Sequence, residues 1–240
     1  MFSVSYFCNP GNPQRAHQDR VYVNGVVLTE GILHAVGRRS LRCFVADGVG
    51  SMINSEHAAQ YVLRQIGRLD NVINSQERDL FQTHLLKINK DLVQLNRNSE
   101  KYWKSATTLC GLVLDEHGLM TVNVGDSEIL VFRGDMLSRV TTPQVYDELT
   151  PNSPLISYLG SSREEMRVDF DSFYHQYNKG DIVIVTTDGL LKAISKKDLR
   201  SILNGQGTLQ QKVAEVYSVL QEQPAPDNLG AIFITEEEST

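Results

Sequence analysis

Between Arg78 and Asn98 the apolar residues Phe81, Leu85, Ile88, Leu92 and Leu95 recur at spacings of four, three, four and three. That is the period of one helix face, so the stretch predicts an amphipathic helix whose stripe packs on a core. A second helix is expected over 53–69, where Ala58, Val62, Ile66 and Leu69 share a side and Asn54 or Ser55 can cap the start. Residues 208–223 repeat the pattern through Val213, Val216 and Leu220. Ser195 and Asp198 have the spacing of a capping box, which predicts another helix start.

Other segments lack that period. Residues 1–8, 41–46 and 182–188 are short apolar runs, and 20–28 (RVYVNGVVL) carries an NG pair suited to a hairpin turn. From Thr107 to Thr141 four strand-like stretches follow one another across glycine turns, which predicts a meander. Residues 168–177 predict a further strand, 224–235 a loop and a last strand, and 142–165, with prolines, serines and little periodicity, a surface loop. Strands and helices interleave without a regular βαβ rhythm. The pattern therefore predicts an α+β fold: antiparallel sheet with helices packed outside it.

Composition narrows the function classes. The chain has 240 residues, enough for one large domain or two small ones and for a substantial core. It is 41% hydrophobic and 22% charged, with a formal net charge of -6, which argues against a nucleic-acid partner. Cys8, Cys43 and Cys110 are too scattered for a disulfide framework or a cysteine zinc site, and Cys43 and Cys110 sit in apolar runs as core residues. The N-terminal MFSVSYFCNPGNPQR has neither the basic start nor the apolar stretch of a signal peptide, and nothing approaches the roughly 20 apolar residues of a bilayer span. A cytoplasmic protein without membrane insertion is expected.

The chemistry resides in aspartates. Asp19 lies in HQDR, Asp47 in ADGVG, Asp126 in NVGDSE, Asp188 in TTDGL and Asp227 in PDNLG, each beside an apolar run and a small or amide residue. Carboxylates at strand ends project into a common mouth if the strands pack together, and unpaired acids there would repel strongly. Divalent cations remove that repulsion. An all-oxygen set selects hard ions, magnesium, manganese or calcium, over zinc. Glycine after the acid lets backbone approach closely, and its carbonyl can itself be a ligand. The six histidines have no ligand spacing, and no phosphate loop, dinucleotide fingerprint or nucleophile-elbow motif occurs. A lone Asp-Gly makes a turn; the set of five points to a site.

In this order the motifs HQDR, FVADGVG, SATTLCGLVL, VNVGDSEILVFRGDMLSRVT, SYLG, GDIVIVTTDGLLKAIS and PDNLGAIFI resemble those of the metal-dependent (PPM, or type 2C) Ser/Thr protein phosphatase family, over nearly the whole chain. The resemblance is to a compact, bacterial-type member. It implies one phosphatase domain over 1–240, with two central antiparallel sheets packed face to face and flanked by helix pairs, a four-layer αββα sandwich. It implies hydrolysis of phosphoserine and phosphothreonine by a metal-activated water, with two magnesium or manganese ions and a third at a weaker position. Carried over residue by residue, Asp47 bridges the two metals, the Gly48 carbonyl binds one of them, Asp188 and Asp227 hold the other, Asp19 acts through metal-bound waters, and Asp126 matches the third position. Asp47 and Asp188 are the catalytic pair, acting through metal-bound water. The implied partners are a phosphoprotein substrate and a cognate Ser/Thr kinase, with the phosphatase a monomer.

The sequence also departs from the family. The position of the usual phosphate-binding arginine is Gln14, with Arg15 one residue displaced. If this stretch is a regular strand, Arg15 shares a face with Asp19 and Arg20 does not, so Arg15 is expected to meet substrate phosphate. Ser51 replaces a glycine, Glu128 an arginine, and the 141–157 segment is short for a flap. The alternative reading is a pseudophosphatase that binds phosphoproteins on the same fold. A small-phosphate hydrolase of the same architecture is a third. Retention of the core aspartates favours the enzyme, because a binding module has no physical need for so much unpaired charge.

Overall fold

The computed structural model describes all residues except 12–15, 71, 103, 151, 163–165, 172–176, 223–224 and 237–240. In chain order the elements are β1 (Phe2–Asn9), β2 (Arg20–Val23), β3 (Val26–Leu28), β4 (Gly31–Arg38), β5 (Leu41–Ala46), α1 (Ser55–Gly67), α2 (Arg78–Asn98), β6 (Leu109–Asp115), β7 (Gly118–Val124), β8 (Glu128–Arg133), β9 (Met136–Arg139), β10 (Asp169–Asp171), β11 (Ile182–Thr186), α3 (Gly189–Ala193), α4 (Lys196–Asn204), α5 (Leu209–Glu222) and β12 (Leu229–Glu236). Among the described residues the strands form two six-stranded antiparallel sheets, ordered β4-β1-β12-β11-β8-β9 and β10-β7-β6-β5-β2-β3.

The core has three layers. Between the sheets lie Val4, Tyr6, Cys8, Leu41, Cys43, Val45, Leu112, Val183, Val185, Ile232 and Ile234. Alternate residues of the same strands turn outward to helices: Phe44 and Ala46 meet α1 and α2, while Phe7, Ile184 and Phe233 meet α4 and α5. Both faces of the central strands are thus buried, which is why they read as unbroken apolar runs rather than as alternating ones. All three cysteines are buried and free.

The predicted α2 stripe packs as expected, with Phe81, Leu85, Ile88 and Leu92 buried. Asn89 and Asn96 interrupt it with a purpose. Asn89 accepts from Gly160 N and donates to Ser161 O, and Asn96 donates to Ser105 O, so α2 braces two adjacent chain segments, 105–107 and 159–161. Ser195 caps α4 by accepting from Asp198 N at 3.1 Å. The NG pair makes the β2–β3 hairpin, with Val23 opposite Val26.

Three expectations need correction. The run from 107 to 141 is not a meander within one sheet: β6 and β7 pair, but β8 crosses to the other sheet and pairs with β11. The cause is that both faces of each sheet are buried, so local sequence carries no signal of which sheet a strand joins. Neither Asn54 nor Ser55 caps α1 through its side chain: Asn54 is left-handed and donates to Glu100 O, and Ser55 Oγ donates to Val49 O. The 142–165 segment has no strand among its described residues, yet it is not wholly at the surface. Gln144 is fully buried, accepting from Gly125 N and donating to Asn123 O and Asp169, and Leu159 bridges to Thr107. Strand β4 was not anticipated; it is an edge strand, paired to β1 and exposed at Leu33 and Val36.

Candidate functional site

Strand register gathers the acids. Arg20 lies opposite Ala46, which sets Asp19, just before β2, against Asp47, just after β5. In the other sheet Thr186 lies opposite Ala231, and Asp188 follows β11 where Asp227 precedes β12. Asp126 sits where the chain crosses from β7 to β8, and Glu128 is opposite Thr186. All five aspartates therefore fall at one end of the two sheets. Asp47, Asp126, Asp188 and Asp227 line a cleft of about 600 Å3 together with Gly48, Gln18, Thr108, Asn228 and, from the far rim, Asn152 to Leu155.

Each Asp-Gly step admits a second acid. A Cβ on Gly48 would lie 2.7 Å from Gln18 Cβ and 2.9 Å from Gln18 O, the residue before Asp19. A Cβ on Gly189 would lie 1.9 Å from Asn228 O, the residue after Asp227. The glycines are there for backbone approach. Their neighbours are fixed by hydrogen bonds. Thr108 Oγ1 accepts from Asp47 N at 3.1 Å, and Thr107 Oγ1 and Thr108 N donate to Asp47 O at 2.8 Å each. Asn228 accepts from Gln18 N and donates to Pro10 O, tying the Asp227 loop to the chain ahead of Asp19.

Carboxylate oxygens of Asp47, Asp126 and Asp188 lie within 4.8 Å of one another. Asp19 is 1% exposed, and its Oδ2 has no hydrogen-bond partner among the described residues. Burial, then the neighbouring acids, push the Asp47 carboxyl well above the usual carboxylate range. Burial also raises Asp19; hydrogen bonds to Thr187 and Asp47 pull it back, and Asp188 and Asp227 push it up. Asp126 is raised to about 6, chiefly by burial and then by Asp188. Among the described residues no salt bridge reaches Asp19, Asp47 or Asp126. A half-buried, crowded set of oxygen donors beside the buried, orphaned Asp19 oxygen fits divalent cations, and Asp47, Asp126 and Asp188 could share one.

Asp188 and Asp227 are different. Lys192 Nζ lies 2.6 Å from Asp188 Oδ2 and 2.8 Å from Asp227 Oδ2. Sequence reading missed Lys192, Thr108 and Asn228. Lys192 was within reach of it: once a helix starts directly after Asp188, position i+4 returns to the same face. The five predicted acids and Gly48 come together. Arg15 lies outside the described residues, and the shared-face argument for it loses its premise, because 16–19 belong to no strand and β2 begins at Arg20. Arg20 itself is buried, donating to the carbonyls of His17 and Asp19. Glu128, where the family has arginine, is buried and paired with Arg139 at 2.5 Å, which ties β8 to β9.

The model of the family described as Protein phosphatase 2C matches residues 30–233. The chain is 23% identical over 253 aligned positions to the protein phosphatase PhpP of Streptococcus pneumoniae, covering 97% of this chain and 96% of that one. It is 21% identical to the serine/threonine phosphatase stp of Listeria innocua, covering 79% and 82%. The fold matches the solved serine/threonine phosphatase of S. agalactiae with a TM-score of 0.81, at 18% identity, over 99% of this chain and 100% of that one.

Proposed function

The chain belongs to the protein phosphatase 2C family of protein-serine/threonine phosphatases, and we propose that it hydrolyses phosphoserine and phosphothreonine on proteins at the acidic cleft with divalent cations. The observation that carries this reading is the convergence of Asp47, Asp126 and Asp188 within 4.8 Å beside a buried, unpartnered Asp19 oxygen. The proposed cofactors are two magnesium or manganese ions. Asp47 would contact both, the Gly48 carbonyl one of them, and Asp188 and Asp227 the other; Asp19 would act through water, and Asp126 would serve a third, weaker position. Bound there, the cations supply Lewis-acid activation of water and offset the charge of the phosphate.

The chain's own residues then have positioning roles. Thr107 and Thr108 hold the Asp47 backbone from both sides, so the end of β5 is a rigid mount for its carboxylate. Asn228 fixes Asp227 against the Gln18–Asp19 segment. Phosphoryl transfer asks little covalent chemistry of the protein, and among the described residues the cleft lining includes no cysteine or histidine. Arg15 is the proposed contact for substrate phosphate, since Arg20 is engaged with backbone carbonyls. Asn152, Ser153, Pro154 and Leu155 form the rim that faces an incoming phosphoprotein. We assign the whole chain to one phosphatase domain, monomeric and cytoplasmic, that reverses a Ser/Thr kinase; among the described residues no helix is long and apolar enough to cross a membrane.

The test is release of phosphate from a phosphothreonine peptide with Mn2+ and with a chelator. Turnover is expected only with the cation. Full turnover after exhaustive chelation would refute the metal reading, and tight peptide binding without turnover would point to a pseudophosphatase.

A further inference from the structure

Lys192 is the basic residue joined by ion pairs to the acidic cluster among the described residues. It reaches the cluster because α3 begins directly after Asp188 and returns Lys192 to the same side one turn later. One ammonium then spans two carboxylates from different chain segments, at 2.6 Å from Asp188 Oδ2 and 2.8 Å from Asp227 Oδ2. The Lys192 side chain is one-third exposed and lines the cleft, so its flexible stem has somewhere to go.

These two oxygens are also the ones a cation held by Asp188 and Asp227 would take. Magnesium bonds oxygen at about 2.0–2.1 Å, while an ammonium donates at about 2.7–2.9 Å. Both cannot face the same pair of oxygens without three positive charges crowding within a few ångströms. The Asp47 side carries no such ion pair among the described residues.

We propose that Lys192 is an internal competitor for the cation held by Asp188 and Asp227. That position loads only when the ammonium swings away, and therefore at higher free metal than the Asp47 side. The protein thus has two loading thresholds, one at acids with no tethered ammonium among the described residues and one set by displacement of Lys192. This inference rests on the divalent-cation reading of the cleft.

The experiment is calorimetric titration of the intact protein with Mn2+, for the wild type and for Lys192→Met, Lys192→Gln and Lys192→Arg, with a thermal melt of each to check the fold. Removing the competing charge should tighten the weaker class of sites by about tenfold or more in Lys192→Met and Lys192→Gln, leaving the tighter class unchanged. Lys192→Arg should restore weak binding, because it restores the charge. A lysine with only a structural role would not raise metal affinity when removed. Equal Mn2+ binding by wild type and both neutral variants, or weaker binding by the variants, overturns the Lys192 inference and leaves the metal reading intact. If no protein binds Mn2+ at all, the metal reading fails and this inference with it.

Discussion

Asp47–Gly48 and Asp188–Gly189 solve the same packing problem in two electrostatic settings. Each glycine lets a distant segment approach, Gln18 in one case and Asn228 in the other, and each approach brings a second aspartate to the strand end. At the first step Asp19 and Asp47 face each other with no ion pair among the described residues, and burial raises both carboxyls. At the second, Lys192 bridges Asp188 and Asp227. Bringing acids together and neutralising them are therefore separate tasks. The fold does the first at both steps by register and glycine, and does the second from within the chain only where a helix follows the acid.

The largest expected effect tests whether the two steps serve one reaction. Asp47→Asn and Asp188→Asn should each lower phosphopeptide turnover by about a thousandfold or more, since each removes a ligand from a centre worth several kcal/mol to the transition state. Substantial turnover by either one would mean that the two steps do not share a centre. Gly48→Ala and Gly189→Ala probe the mechanical likeness. Both should destabilise by about 1–3 kcal/mol in urea or thermal melts, as overpacked sites do. Gly189→Ala should be the worse, because its Cβ would meet a backbone oxygen at 1.9 Å against 2.7 Å to a side-chain carbon at Gly48. A wild-type melt for either variant contradicts the close-approach argument.

Smaller, and more discriminating, is the pH dependence of the chelator-treated protein. A carboxyl whose folded pKa lies above its unfolded value gains protons on folding between the two values, so stability falls as pH rises through that window. For Asp126 the window runs from 3.8 to about 6, and the raised Asp19 and Asp47 act in the same direction. Melting temperature under chelation should thus fall with rising pH there, and Mn2+ should flatten the profile. Asp47→Asn should make the fall shallower and raise the chelated melt above that range. Asp188→Asn should shift the chelated melt less than Asp47→Asn does, because the lost ion pair with Lys192, partly exposed and worth about 0–1 kcal/mol, offsets the relieved repulsion on Asp19, Asp47 and Asp126. A chelated melt that rises with pH, or identical shifts in the two variants, would remove the distinction between the steps.

The chain by itself determined the elements with strong periodicity, the class of fold and the residue types of the site. The α2 stripe, the Ser195 cap and the β2–β3 hairpin are local, set by side-chain spacing, a hydroxyl and a turn pair, and each is found where the sequence placed it. The aspartates were legible because charge at the end of an apolar run is costly unless something binds it. Tertiary structure decided the rest. Which sheet β8 joins cannot be read from Glu128–Arg133, since a strand buried on both faces is apolar whichever neighbour it has. That Gly48 exists for Gln18 and Gly189 for Asn228 depends on pairs 30 and 39 positions apart, brought together by the β2–β5 and β11–β12 registers. The bridge from Lys192 to Asp227 spans 35 positions and needs both α3 and the β12 approach loop to be in place. Local sequence fixes what each segment can offer; only long-range register determines which charges meet.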